Sequence, residues 1–510
     1  MNQPTKSWTV MVYFASDNDL EGFAVNNLMQ MKQVGSTDDV TFIAQVDPRG
    51  SGPTARYYLH DKSTTLGEDL VQSFGEINTG DPKELTNFIN WGMENFPANN
   101  YMLILWGHGH GWQGDDNADR AAGRTVNRAK ANNLTLAIGQ DEFSQNQVVL
   151  KLFISLQANN SVSATSEINQ ALQAATQIGF LTDNGSSDVL TMAELKKSLA
   201  AVNRKKIDVL GMDACMMATA EVGYQVREHV DYLVGSEETI PDDSWPYDRI
   251  FARLVDNPAM SPADLSVAVA REYTLAYKDK GTQIAISVCD LKKDKFDPLK
   301  NAINELCEEL LGMKDDADVK WAVMLSRAMV QSFYIKDYID LYDYCRLLQE
   351  NCHKETIRVK CGNVLEAIAG KDGKGQFVLD YGYYGFRLRD VKGVSIYFPC
   401  RGVSARYDKL EFSIYTLWDE FLEAFVGKAP VATNAATIEA QLLPASENGV
   451  KIGRGDEGKI GHGDEAKIGS GDEAKIPGSK PFKLPGKTVS QPDKPNPSWR
   501  NPSAEKQTAS

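Results

Sequence analysis

Four side chains combine types and positions that support chemistry: His108, His110, Asp213 and Cys215. The histidines lie in "MLILWGHGHGWQGDD" (102–116), where an apolar run stops at Trp106 and gives way to glycines, imidazoles and then Asp115 and Asp116. The other two lie in "IDVLGMDACMMATAEVGYQV", again just past an apolar run. Two chemistries are open. A cysteine at a helix N-terminus gains from the helix dipole, which favours the thiolate; a nearby histidine lowers its pKa further and protonates a leaving group. Glycine amides beside the histidine would then hold an oxyanion. Alternatively, the H-x-H pair with Asp115 and Asp116 would bind a metal. The spacing argues against this. Trp112 and Gln113 stand where an H-x-H-x-D-H pattern needs Asp and His, and no HExxH is present. The bland alternative for a lone cysteine is a small buried hydrophobe, which is how Cys289, Cys345 and Cys400 read.

The elements that must position these groups read as alternating strands and helices over residues 8–300. "WTVMVYFA", "VTFIAQVD", "YMLILW", "IDVLGM", "DYLVGS" and "TQIAISVCDL" are apolar, β-rich runs separated by helical patterns. Runs of this kind are strands buried on both faces of a mainly parallel sheet, which makes the fold α/β. Ser16 or Asp17 is the expected cap of the helix after the first strand, with Gly35 as its stop. A helix is expected from Met216 onward. In open sheets of this class, ligands collect at the carboxyl ends of the strands, where both reactive segments fall.

Residues 114–180 interrupt the rhythm and read as a long insertion between two strands, with one exposed basic segment at its start. Residues 1–260 are then one catalytic domain and 261–427 a smaller α+β part. Residues 428–510 form a low-complexity tail, with three copies of an eight-residue KIGxGDEx unit from Lys451, too polar to build a core.

The formal charge of −15 makes direct nucleic-acid binding unexpected, because phosphate demands a basic surface. No apolar run approaches the ~18 residues of a membrane span. Seven cysteines without a CxxC pair fit a reducing compartment, and the N-terminus shows no secretory signal, so a cytoplasmic location is expected.

Taken together, "WTVMVYFASDNDLE", "LILWGHGHGW", "IDVLGMDACMMATAEVGYQ", "LVGSEETIPDDSWPYDRI", "IDLYDYCRLL" and "GVSIYFP" resemble, in this order, the clostripain family of cysteine peptidases, relatives of caspases and gingipains. The resemblance runs over about residues 8 to 425, without the insertion and tail. It implies a caspase-like sheet flanked by helices, His108 as the catalytic histidine and Cys215 as the nucleophile, with the Gly109 and Cys215 amides holding the oxyanion. His110 becomes a rim residue. Asp213 matches the acidic residue at the base of the family's specificity pocket, which implies cleavage after Arg or Lys, since a carboxylate pairs strongly with a guanidinium. Glu237 and Glu238 would contribute there or be solvated, and Trp245 would wall the pocket or lie buried. Synthesis as a zymogen is implied too, with Arg120, Arg124, Arg128, Lys130 and Lys151 as self-cleavage candidates, the first four favoured. Calcium is a possible partner, at "TDNGSSD" (182–188) or at Asp115 and Asp116. The rival functions are a latent peptidase-like scaffold for a regulatory partner and a metal-dependent hydrolase built on His108 and His110.

Overall fold

The structure, a computed structural model, describes residues 5–50, 52–113, 180–203, 206–278, 280–370, 377–400 and 402–428. The insertion with its five processing candidates, Asp115 and Asp116, and the repeat tail lie outside the described residues, apart from Phe180 and Lys428 at their borders.

The strands are β1 (Lys6–Ala15), β2 (Val40–Asp47), β3 (Ala55–Tyr58), β4 (Leu70–Ser73), β5 (Ala98–Trp106), β6 (Phe180–Asp183), β7 (Asp188–Leu190), β8 (Ile207–Asp213), β9 (Val230–Gly235), β10 (Ile284–Asp290), β11 (Tyr338–Asp340), β12 (Val378–Tyr384) and β13 (Ser395–Tyr397). Among the described residues, nine of them form one sheet in the order β12-β10-β9-β8-β5-β1-β2-β3-β4. The five central strands, β9, β8, β5, β1 and β2, run parallel. The strands outside them on both sides are antiparallel.

Successive side chains of a strand point to opposite faces, and here both faces are covered. Val10, Val12 and Phe14 of β1 pack with the helices Glu21–Val34, Tyr247–Asp256 and Pro262–Lys278. Met11 and Tyr13 pack on the other face with Pro82–Asn95, Met192–Ala200 and the helices that come after β10. That double burial explains why the central strands read as unbroken apolar runs.

The boundary expected at 260 falls inside this sheet. Strands β10 and β12 extend it, and the side chains of Tyr338, Tyr397 and Trp418 belong to the same apolar cluster as those of β5 and β8. The segment read as a smaller α+β part is therefore woven into the main body. Two helix starts also differ from expectation. The first helix begins at Glu21 with no side-chain cap, because Ser16 and Asp17 are engaged elsewhere. Ser16 Oγ donates to the Asp47 carbonyl at 2.6 Å, while the Asp17 carboxylate accepts from Gly185 N at 2.6 Å and Gly50 N at 3.0 Å. Gly35 does end that helix, at φ 72°. The helix expected from Met216 begins at Ala220 and is capped by Thr219.

Candidate active site

Strands β5 and β8 are neighbours, and their last rung pairs Trp106 with Asp213. Because they run parallel, both chains leave the sheet at the same edge and in step. His108 and Cys215 each lie two residues beyond that rung. The Gly107 amide donates to the Asp213 carbonyl at 3.3 Å and continues the pairing past the strands. The two loops then touch. A Cβ added at Gly109 would lie 2.7 Å from the Cys215 carbonyl oxygen and 3.0 Å from its nitrogen, so only glycine allows this approach.

Cys215 is partly buried, and it does not sit at a helix terminus. Met216 has φ 57°, a left-handed conformation that turns the chain away from a helix. The segment runs instead beside residues 236–240: Met216 N donates to Glu238 O at 3.1 Å and Ala218 N to Ser236 O at 3.0 Å. The Ile240 amide donates to Cys215 Sγ at 3.2 Å. In place of the helix terminus expected from the sequence, the sulfur meets the Ile240 backbone, whose amide donates to it and whose carbonyl lies 3.9 Å from Sγ.

The His108 loop is held from three sides. Leu181 N of β6 donates to the His108 carbonyl at 3.0 Å. His108 Nε2 lies 2.8 Å from Asp19 Oδ1, in the turn after β1. Further along, Trp112 N and Gln113 N donate to the Tyr338 hydroxyl at 3.1 and 3.3 Å, and that hydroxyl donates to the His110 carbonyl at 2.9 Å. His110 is nearly buried in this knot, which is a structural setting. Among the described residues no three His, Cys, Asp or Glu side chains are arranged to hold a metal ion.

Asp213 is buried at the base of the Cys215 loop. Its Oδ2 accepts from the Ser244 hydroxyl, from Tyr247 OH at 2.7 Å and from Trp245 N at 3.4 Å. Its Oδ1 is buried and receives no hydrogen bond. Burial pushes its pKa up to about 7, against the Ser244, Tyr247 and Trp245 donors that hold it down. Ser244 also lines a cleft of about 440 Å³ with Asn27, Gln30, Asp243, Arg249 and Lys280, where Lys280 pairs with Asp243 at 3.2 Å.

The other two pocket candidates are placed elsewhere. Trp245 is fully buried among the aromatic residues beneath the sheet, its ring against Gly211, so the buried-aromatic alternative holds in this conformation. Glu237 is also fully buried. It accepts from Gly393 N at 3.0 Å and lies beside Asp340, and burial together with that neighbouring carboxyl holds its pKa well above the usual range. Glu238 is not solvated either: its carboxylate accepts from Thr239 N at 2.9 Å and Gln283 Nε2 at 3.2 Å.

The loop expected to meet calcium is the β6–β7 hairpin. Its carboxylates already serve the protein. Asp183 accepts from Thr79 N and Ser186 N, each at 2.8 Å, and Asp188 from Asn78 Nδ2 at 2.6 Å.

Asp19, Ile240 and Tyr338 were not singled out in the sequence. Asp19 had a visible signal, an acid-rich turn at the carboxyl end of a strand. Ile240 acts through its backbone, and Tyr338 lies 228 residues from His110, so neither leaves a local pattern.

Comparison with known proteins agrees with the fold. The Clostripain family model matches residues 12–150 and 159–425, and the chain belongs to that family. Clostripain of Hathewaya histolytica is 29% identical over 273 residues, an alignment that spans 48% of this chain and 42% of clostripain. Among solved structures, a secreted C11 cysteine protease from Bacteroides thetaiotaomicron in complex with an irreversible peptide inhibitor superposes with a TM-score of 0.54 at 18% identity, covering 81% of this chain and 100% of the other. An inactive zymogen C11 protease from Parabacteroides distasonis gives the same TM-score and identity, covering 82% and 99%. These likenesses show a shared fold.

Proposed function

We propose that this protein is a cysteine endopeptidase that cleaves after Arg or Lys. The observation that carries the reading is the meeting of the β5 and β8 loops, which sets Gly109 against the Cys215 peptide and places an imidazole and a thiol at one sheet edge. The Cys215 thiolate attacks the substrate carbonyl carbon. The Gly109 and Cys215 amides take the resulting oxyanion, as preorganised donors do in acyl transfer. As the tetrahedral intermediate collapses and the C–N bond breaks, His108 gives its proton to the departing amine, leaving a thioester on Cys215. Water, deprotonated by His108, then releases the acid and restores the thiol.

Preference for a basic residue rests on Asp213. A buried carboxylate oxygen without a donor calls for one, and a guanidinium or ammonium supplies it. In the present conformation Asp213 is closed off from solvent, which supports synthesis as a zymogen opened by cleavage within 114–179. The same closure is the one feature that favours a latent scaffold. Cleavage of an Arg-linked fluorogenic peptide, lost with iodoacetamide and in Cys215→Ala, is the expected result. A chain that never turns over that peptide, even after limited proteolysis of the insertion, would sink the endopeptidase reading.

A further inference from the structure

We infer that Asp19 is a positioning residue for His108: its carboxylate fixes the imidazole with Nε2–H bound and leaves Nδ1 to hand the proton to the leaving amine. This rests on the proposed roles of His108 and Cys215. An ionised carboxylate can only accept, so the 2.8 Å contact requires that Nε2 carry the hydrogen. The other ring nitrogen is then the one available for proton transfer. Neither partner is deeply exposed or fully buried, with the imidazole side chain at 16% and the carboxylate at 45% exposure. A surface pair of that kind adds little stability, so a stability role is a poor account of it.

The turn that carries Asp19 is fixed at every other residue. Ser16 is tied to the end of β2 and Asp17 to Gly50 and Gly185. Asn18 donates to Ala15 O at 3.0 Å and to Thr182 O at 2.8 Å, and its Oδ1 accepts from Leu20 N at 2.9 Å. Asp183, the nearby acid of the β6–β7 hairpin, is bound by Thr79 and Ser186. Asp17 and Asp183 therefore hold the scaffold, while Asp19 reaches across to His108. The hairpin closes the arrangement, since Leu181 N holds the His108 carbonyl and the Thr182 carbonyl holds Asn18. Backbone and side chain of His108 are thereby set by one rigid unit, as a catalytic base held by a third group requires.

The test separates leaving groups. An amine must be protonated as it departs, whereas p-nitrophenolate leaves without a proton. For Asp19→Ala, we expect kcat on an Arg anilide to fall by about tenfold or more with KM within about twofold, while the p-nitrophenol burst from the matching Arg ester stays within about threefold. Asp19→Asn, which still reaches Nε2, should recover part of the lost anilide kcat. The inference is overturned if Asp19→Ala turns over the anilide within about twofold of the parent, or if anilide and ester fall together. If Cys215→Ala or His108→Ala keeps full anilide activity, the parent assignment of the site fails instead, whatever the Asp19 variants do.

Discussion

At the residue scale, Asp213 and Gly109 make opposite demands. Asp213 offers a buried oxygen that waits for a cation, and its pKa near 7 means that ionisation is costly until one arrives. Asp213→Asn keeps an acceptor for Ser244 and Tyr247 but removes the charge. Loss of a desolvated charge partner should lower kcat/KM for Arg and Lys substrates by about a hundredfold, with Cys215 still alkylated by iodoacetamide at its parent rate. Equal losses on a substrate with a neutral residue before the scissile bond would mean that Asp213 supports the loop and does not read the side chain. Gly109 demands space. Alanine there would put its methyl within 2.7 Å of the Cys215 carbonyl, so one of the two loops must move. Gly109→Ala should cut the ester burst and anilide turnover alike, with a loss of about a hundredfold, because the oxyanion serves every substrate. A burst at parent level in that variant would take the amide out of the mechanism.

At the element scale, the site is a junction of strand ends held by parts distant in sequence. Tyr338 of β11 reaches the His108 loop with one hydroxyl that donates once and accepts twice. Tyr338→Phe leaves those backbone groups without their partner at a buried position, which should cost about 1–3 kcal/mol of unfolding free energy. Urea denaturation measures this, and a matching fall in kcat would show that the loop has loosened. An unchanged midpoint would mean that other donors replace the hydroxyl. The elements themselves were largely legible. β1, β2, β5 and β8 announced themselves as apolar runs because both faces of the sheet are covered, and the strand-end rule then pointed to His108 and Cys215. The path of the chain after β8 was not legible. "CMMATAEVG" has helix-forming composition, yet Met216 turns left-handed so that its amide and that of Ala218 can pair with residues 236–240. Composition carries propensity, whereas that pairing is set by the loop that follows β9. The burial of Glu237 and Trp245 was hidden for the same reason, since the segments that cover them come from other parts of the chain.

At the scale of the whole molecule, a chain of net charge −15 buries several of its acids beneath one sheet edge. Asp47, at the end of β2, is the clearest case. One oxygen accepts from Thr54, while the other is buried without a partner. Burial pushes its pKa up to about 8, with Asp183, Glu76 and Asp17 adding to the rise and the Thr54 hydroxyl opposing it. In the unfolded chain the same group gives up its proton near pH 4. Between about pH 4 and pH 8, the folded state therefore holds a proton that the unfolded state has lost, and stability falls as pH rises through that window. Asp213 at about 7 acts with the same sign over the lower part of it. Asp47→Asn keeps the acceptor for Thr54 and removes the titration. The variant should melt above the parent by about 2 °C or more at pH 8, with a smaller difference at pH 5.5, where the parent carboxyl is already neutral. Calorimetric scans at the two pH values decide the matter. An equal loss of Tm at both would mean that the asparagine is simply a poor fit, and that the proton on Asp47 does not set the pH dependence of the fold.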